Sequence, residues 1–577
     1  MRLSAWLLFF PVLLTAQGTI GVGGGSSGRL GSPRPAAVPA QPSKPEDLCA
    51  IEGQVVNAVS GEPIRRASII IMRADLTSNE GGPPTSYTTQ SNATGQFAMK
   101  DIEPGRYRLS VTRNGYVPFT YGAKAQSRQG TMLSLTRQQR MTDLGLKLTP
   151  QAVVIGRILD ADGEPAANAR IALQGYRYVN GKKQLSPSGG MNSTNDLGEY
   201  RIFGVAPGKY YLTPMPNGPN FAVDRSVISA PEEDYVATYY PGVIDPASAT
   251  QLDIPAGGQL RGIDLVLSKA RTVHVKGRVA HSSSGRQRIS VFLTPRSGGV
   301  FGAIRNNQVD PAGNFDIGNV TAGAYTLTAV INGGDMPMQG RMLVDVGGSN
   351  VEGLNVDVGP GVNLKGRVRA EVENAPLDLS NLTLHLQPRE QGGLMFGGPT
   401  QGKPDESGAF EIKNVPPDHY DLMVMGLPSG AYVKTIRSDQ VDVLSSGLDT
   451  SSGAPAAVEV VISPKAATLS GTVQNSTTGN PAPGATVVLI PQEQERRGRQ
   501  SWYKMITADQ NGGFSLAGVP PGEYKAYAWE DLEFGAYMDP DFMKPFEDKG
   551  EAVTLRESER NSVQLKLLPA EVAAPAK

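Results

Sequence analysis

The chain has 577 residues, with 54 Lys and Arg against 55 Asp and Glu, so its net charge of −1 shows none of the basic surplus expected of a nucleic-acid binder. A single cysteine excludes an internal disulfide, and four histidines leave little for metal or acid–base chemistry. The 68 Gly and 44 Pro fall at turns between alternating apolar runs, which points to many short strands rather than to disorder.

In chain order, residues 1–16 read as an export signal: Arg2, an apolar run from Leu7 to Leu14 broken by Pro11, then the small Ala16. That run is too short to span a membrane as a helix. Residues 17–47 are rich in Gly, Ser, Pro and Ala and read as a flexible tether. Cys49 is expected buried or half-buried at the start of the first strand.

From there a pattern recurs five times. An apolar-x-Gly-x-apolar stretch opens each copy, at Gly53, Gly156, Gly277, Gly366 and Gly471. A Gly followed closely by an aromatic comes later, and a Tyr follows that aromatic by ten residues. The pairs are Phe97 and Tyr107, Tyr200 and Tyr210, Phe315 and Tyr325, Phe410 and Tyr420, Phe514 and Tyr524. A turn such as Pro104-Gly105 or Pro521-Gly522 separates the members of each pair. Periodicity this long signals tandem domains rather than one core. The predicted modules are 48–149, 150–268, 269–359, 360–463 and 464–570, with a tail at 571–577. Each is an all-β sandwich of about seven strands. The ten paired aromatics are expected in the cores, where a ring buries about 150–250 Å². Short junctions, as from Leu148 to Ile155, lead to the expectation of a semi-rigid, elongated array.

The opening Gly-x-Val, the Gly-x-Pro turns (Gly61-Glu62-Pro63, Gly163-Glu164-Pro165), the Gly-x-Phe/Tyr and the Pro-Gly-x-Tyr together resemble carboxypeptidase regulatory-like domains. The resemblance runs from Ile51 to about Leu568 and is clearest in the first, second and fifth modules. It implies a transthyretin-like or starch-binding-like sandwich related to collagen-adhesin B-type repeats. It further implies a secreted or envelope protein that adheres or presents ligands.

No His-Glu-x-x-His and no Gly-x-Ser-x-Gly occurs, so neither a zinc peptidase nor a serine hydrolase is expected, and no cofactor. Asp160-Ala161-Asp162-Gly163-Glu164 offers oxygen ligands but lacks the downstream Glu of a calcium loop. Lys276, Lys365 and Glu199 are loosely placed for an isopeptide bond, without a recurring pattern. Sugar stacking is the more serious option, through Trp502 and Tyr503 beside Arg496, Arg497 and Arg499, through Tyr527 and Trp529 next to Glu530 and Asp531, or through Tyr239 and Tyr240. Adjacent strand residues face opposite ways, so one ring of Trp502-Tyr503 is expected outside. Three readings follow: a secreted, non-enzymatic binding or adhesion scaffold, a carbohydrate-binding protein, or an accessory subunit of an outer-membrane receptor or hydrolase. An extracellular glycan or an envelope protein is the expected partner.

Overall fold

The computed structural model describes residues 45–74, 86–124, 130–179, 181–215, 233–281, 288–296, 305–332, 338–371, 378–389 and 401–569. The export signal, the tether up to residue 44 and the tail beyond 569 lie outside the described residues; Pro45–Asp47 form a single 3-10 turn leading into the first strand.

The architecture is all-β, in tandem sandwich modules, and five cores line up along the chain. In the first, a small sheet runs Gln96–Ile102, Cys49–Asn57, Arg140–Leu148, and its last two strands are parallel. A second sheet runs Ser86–Gln90, Ser68–Arg73, Gly105–Thr112, with Met132–Leu135 on the far side of Gly105–Thr112. Strict alternation buries one face of each strand: Tyr107, Leu109 and Val111 are all fully buried, while Arg106 and Arg108 are exposed. Cys49 is buried and its thiol donates to the Thr136 carbonyl at 3.0 Å.

The same two-sheet plan recurs with two variations. In the fourth module Tyr432–Ser438 joins the small sheet beside Val458–Ser463. In the fifth, the closing strand Arg560–Leu568 runs parallel to Ala467–Gln474 and then pairs its end with Ala528 and Trp529, which fuses both sheets into one.

Three devices, each present five times, explain the recurring residues. At the opening Gly the closing strand crosses so closely that a Cβ would lie 2.2 Å from the Leu144 carbonyl at Gly53, and 1.9 Å from that of Val563 at Gly471. Only glycine fits there. Before each first aromatic, an Asn or Asp (Asn92, Asn195, Asp310, Asp405, Asp509) accepts from the backbone N–H groups two and four residues on. The Gly of that turn sits at φ between 72° and 89°. Finally, each Tyr hydroxyl donates to the carbonyl four residues upstream: Tyr107 to Glu103, Tyr210 to Ala206, Tyr325 to Thr321, Tyr420 to Pro416 and Tyr524 to Pro520, at 2.7–3.0 Å. This tyrosine corner is why the second aromatic is always Tyr while the first can be Phe.

Contacts are not confined to sequence neighbours, contrary to what a simple rod requires. The Gln510 side-chain amide bonds both the N–H and the carbonyl of Ser134, at 3.2 and 3.0 Å, and so imitates a strand partner across the first and fifth modules. The long hairpin Arg170–Val179 and Lys182–Ser193 carries Tyr178 of the second module to Phe542 of the fifth, ring centroids 6.2 Å apart. Between neighbours, Arg341 pairs with Asp418, and Glu557 accepts from Tyr432 and Lys434 at 3.2 and 3.0 Å. Short junctions limit rotation, but an outreaching hairpin and a side-chain amide decide which modules meet.

Candidate functional site

The sites predicted in the fifth module come together, but as packing. Gly522–Trp529 presents Tyr527 and Trp529 on the outer face of its sheet, beside Val488 and Ile490 of Thr486–Pro491. The excursion after Trp529 folds back over them through the turns Ala536–Met538, Pro540–Met543 and Lys544–Phe546. Asp539 caps the second of these by accepting from Asp541 N–H at 2.9 Å. Trp529 stacks on Tyr527 at 5.2 Å and 17°, and Phe546 meets it edge-on at 5.5 Å. Trp529 is 0% exposed, so its indole offers no face to a sugar. Asp531 is buried beside it and Glu530 is exposed.

Tyr503 enters the same cluster, 5.4 Å from Tyr537, with its hydroxyl bonded to the Arg497 carbonyl at 2.8 Å. Burial pushes both phenols up to about 12. Trp502 is the half-exposed member of the pair. It ends a 3-10 turn, Gln500–Trp502, so the turn rather than strand alternation separates the two rings. Its face is occupied by the Arg496 guanidinium at 4.3 Å. Arg497 is exposed and donates to Pro491 and Gln492 at 2.9 and 2.8 Å. Arg499 leaves the site altogether and bonds the Leu444 and Ser445 carbonyls of the fourth module.

In the second module Tyr239 is 2% exposed, and Tyr240 packs half-buried on the core, its N–H donating to Leu212 at 3.0 Å. Tyr239 belongs to an outer-face group that the motifs did not single out. On Arg170–Val179, the side chains of Gln174, Tyr176 and Tyr178 share that face; on Gly208–Met215, Tyr211 and Thr213 do, with Gln174 opposite Tyr211 and Ala172 opposite Thr213. Tyr176 and Tyr211 pack edge to face at 5.5 Å, and the Lys183 ammonium sits 5.1 Å from the Tyr176 ring. The sequence signal was the alternation Tyr176-x-Tyr178 ahead of Lys182-Lys183 in a hairpin.

The remaining candidates are architectural. Asp160 accepts from Asp162 and Glu164 N–H at 2.9 Å, a plain turn, and Asp162 pairs with Lys269 at 3.4 Å. Lys276 and Lys365 form surface ion pairs with Asp316 and Glu411 at 3.3 and 3.8 Å, and Glu199 accepts from Asn195 at 3.2 Å. Among the described residues no three His, Cys, Asp or Glu side chains gather as a metal site. Among them, too, no helix is long and apolar enough to cross a membrane.

The model of the carboxypeptidase regulatory-like domain matches residues 50–138 and 468–536. The chain carries two carboxypeptidase regulatory-like domains. They are the first and fifth modules, and the glycine crossing, the Asn/Asp turn and the tyrosine corner extend the same build to the three between. No curated protein matches the chain. Among solved structures, a minor pilin of Streptococcus agalactiae is 12% identical over 39% of this chain and 96% of its own, at a TM-score of 0.22. The major pilin subunit of Bacillus cereus is 9% identical over 72% and 99%, at 0.14. A 3-chlorocatechol 1,2-dioxygenase of Rhodococcus opacus is 16% identical over 13% and 42%, at 0.12. Overlays this loose carry no argument about role.

Proposed function

We propose that this chain is an exported, non-enzymatic β-sandwich scaffold that binds or adheres outside the cell. One observation carries the reading: every residue type repeated in all five modules is spent on architecture. The glycines clear strand crossings, the Asn and Asp side chains close turns, and the tyrosine hydroxyls bond their own corners. The second and fifth modules differ in the covering of their outer sheet faces, and recognition is placed on such variable surface. The leader-like residues 1–16 support export.

The test is adherence of the purified full chain to envelope material from the producing cells, alongside peptidase assays with and without zinc. Retention on the envelope without turnover is expected. Zinc-dependent peptide release abolished by a chelator, or failure to adhere to any envelope fraction, would overturn the reading. Co-purification of a single hydrolase or receptor in stoichiometric amount would favour the accessory-subunit alternative.

A further inference from the structure

The outer face of the second module's four-stranded sheet holds an oddity that packing does not explain. Gln174 is 0% exposed, yet neither its amide nitrogen nor its amide oxygen has a hydrogen-bond partner. Thr213, also fully buried, has an unpartnered hydroxyl. Strand register puts Gln174 directly across from Tyr211, and Thr213 two residues further along that strand on the same face. A buried amide and a buried hydroxyl left unmatched demand an account, because a desolvated polar group without a partner is destabilising.

Around them stand aromatic walls. Tyr176 is 36% exposed and Tyr211 half-buried, while Tyr239 is fully packed on the same side. The Tyr211 hydroxyl accepts from Gln251 at 3.4 Å. Lys183 lies over Tyr176, and Asp245 is close enough to act on the phenols of both Tyr176 and Tyr239. Lys209 lies directly across from Asp253 on the same face, so these cations and anions offset one another. Aromatic faces with a few placed polar groups are the composition of a small-ligand site.

We propose that this face binds a neutral saccharide, with the Gln174 amide and Thr213 hydroxyl beneath it and Tyr176, Tyr211 and Tyr239 around it. An amide offers a donor and an acceptor side by side, which matches a pair of adjacent sugar hydroxyls. The tyrosine rings match the apolar C–H face of a pyranose. A charged ligand has no surplus of opposite charge to meet here, and a peptide strand would need an open edge rather than a sheet face. Because Gln174 and Thr213 are fully covered, the proposed site requires the partly exposed Tyr176 ring to move aside. This rests on the reading of the chain as a binding scaffold and names its ligand class and site.

The full chain and two variants, Gln174→Leu and Tyr176→Ala, are applied to an array of neutral and acidic glycans, with unfolding measured for each. The native chain is expected to retain neutral glycans, and both variants to bind at least about tenfold more weakly. Gln174→Leu removes unpartnered groups at similar volume, so it is expected to fold as well as or better than the native chain, which separates lost recognition from lost structure. No retained glycan, retention of acidic glycans alone, or unchanged affinity in both variants overturns the site. Envelope adherence measured in parallel keeps the two readings apart: adherence without glycan retention sinks the saccharide site and leaves the scaffold standing, whereas loss of both sinks both.

Discussion

The second and fifth modules carry tyrosine-rich outer faces on equivalent sheets, and they have opposite fates. In the fifth, the excursion through Phe546 lies down on Tyr527 and Trp529 and turns the face into a second core. In the second, Gln174 and Thr213 lie beneath the face without partners, as the Thr486 hydroxyl and the Trp529 indole N–H do in the fifth, but Tyr176 stays partly open. The difference teaches that aromatic content alone does not mark a recognition surface. What the chain does next decides, because an excursion that lays apolar residues over a face seals it.

Alkaline pH probes that contrast with the largest collective effect. Burial pushes Tyr503, Tyr524, Tyr537 and Tyr239 up to about 12. An unfolded Tyr ionises near 10, so the raised folded values stabilise the protein fully below about pH 10, and that contribution disappears as pH rises through about 12. Burial pushes Tyr107, Tyr200 and Tyr420 up further still, so the loss is expected to be shared by the first, second, fourth and fifth modules. Tyrosine absorbance and circular dichroism followed together from pH 9 to 12.5 check this; phenols that titrate near 10 with the fold intact would refute it.

Trp529→Ala is the sharpest single substitution. It empties the centre of the fifth module's outer cluster and is expected to cost about 3–5 kcal/mol, seen as a lower denaturant midpoint. Tyr176→Ala, on the open counterpart, is expected to cost less than about 1 kcal/mol. Equal costs would erase the distinction between a sealed and an available face.

Tyr178→Ala addresses the link between the two modules. Its half-buried ring meets Phe542, and the Gly535 hydrogen faces the Tyr178 Cβ so closely that a side chain there would sit 3.1 Å away. Truncation is expected to remove about 1–2 kcal/mol of coupling. The readout is thermal unfolding in which the second and fifth modules melt separately in the variant; a single unchanged transition would mean that the hairpin does not hold them together.

A conservative change tests the corner. Tyr524→Phe keeps the ring and loses only the bond to the Pro520 carbonyl, at 2.8 Å in the native chain, for an expected cost of about 1 kcal/mol. Tyr524→Ala should cost several times more. If the two variants unfold at the same denaturant concentration, the hydroxyl rather than the ring would be the main contributor.

Sequence periodicity alone determined the sandwich class, the five repeats and the placing of an aromatic and a Tyr ten residues apart, because alternation and turn chemistry are local. The opening Gly was legible as a recurrence, but its cause was not: the carbonyl that excludes a Cβ belongs to a strand 91 residues on in the first module, Leu144 across from Gly53. The hydroxyl bond that demands Tyr was hidden for a subtler reason, since its acceptor is only four residues away but is brought into line by the corner. Trp529, Tyr503 and Tyr239 read as candidate stacking faces because alternation separates the two sides of a strand without saying what covers either. That covering is tertiary. It depends on where the excursion after Trp529 folds, on how far the hairpin bearing Tyr178 reaches, and on which polar side chains, Gln174 and Thr213 among them, are left beneath.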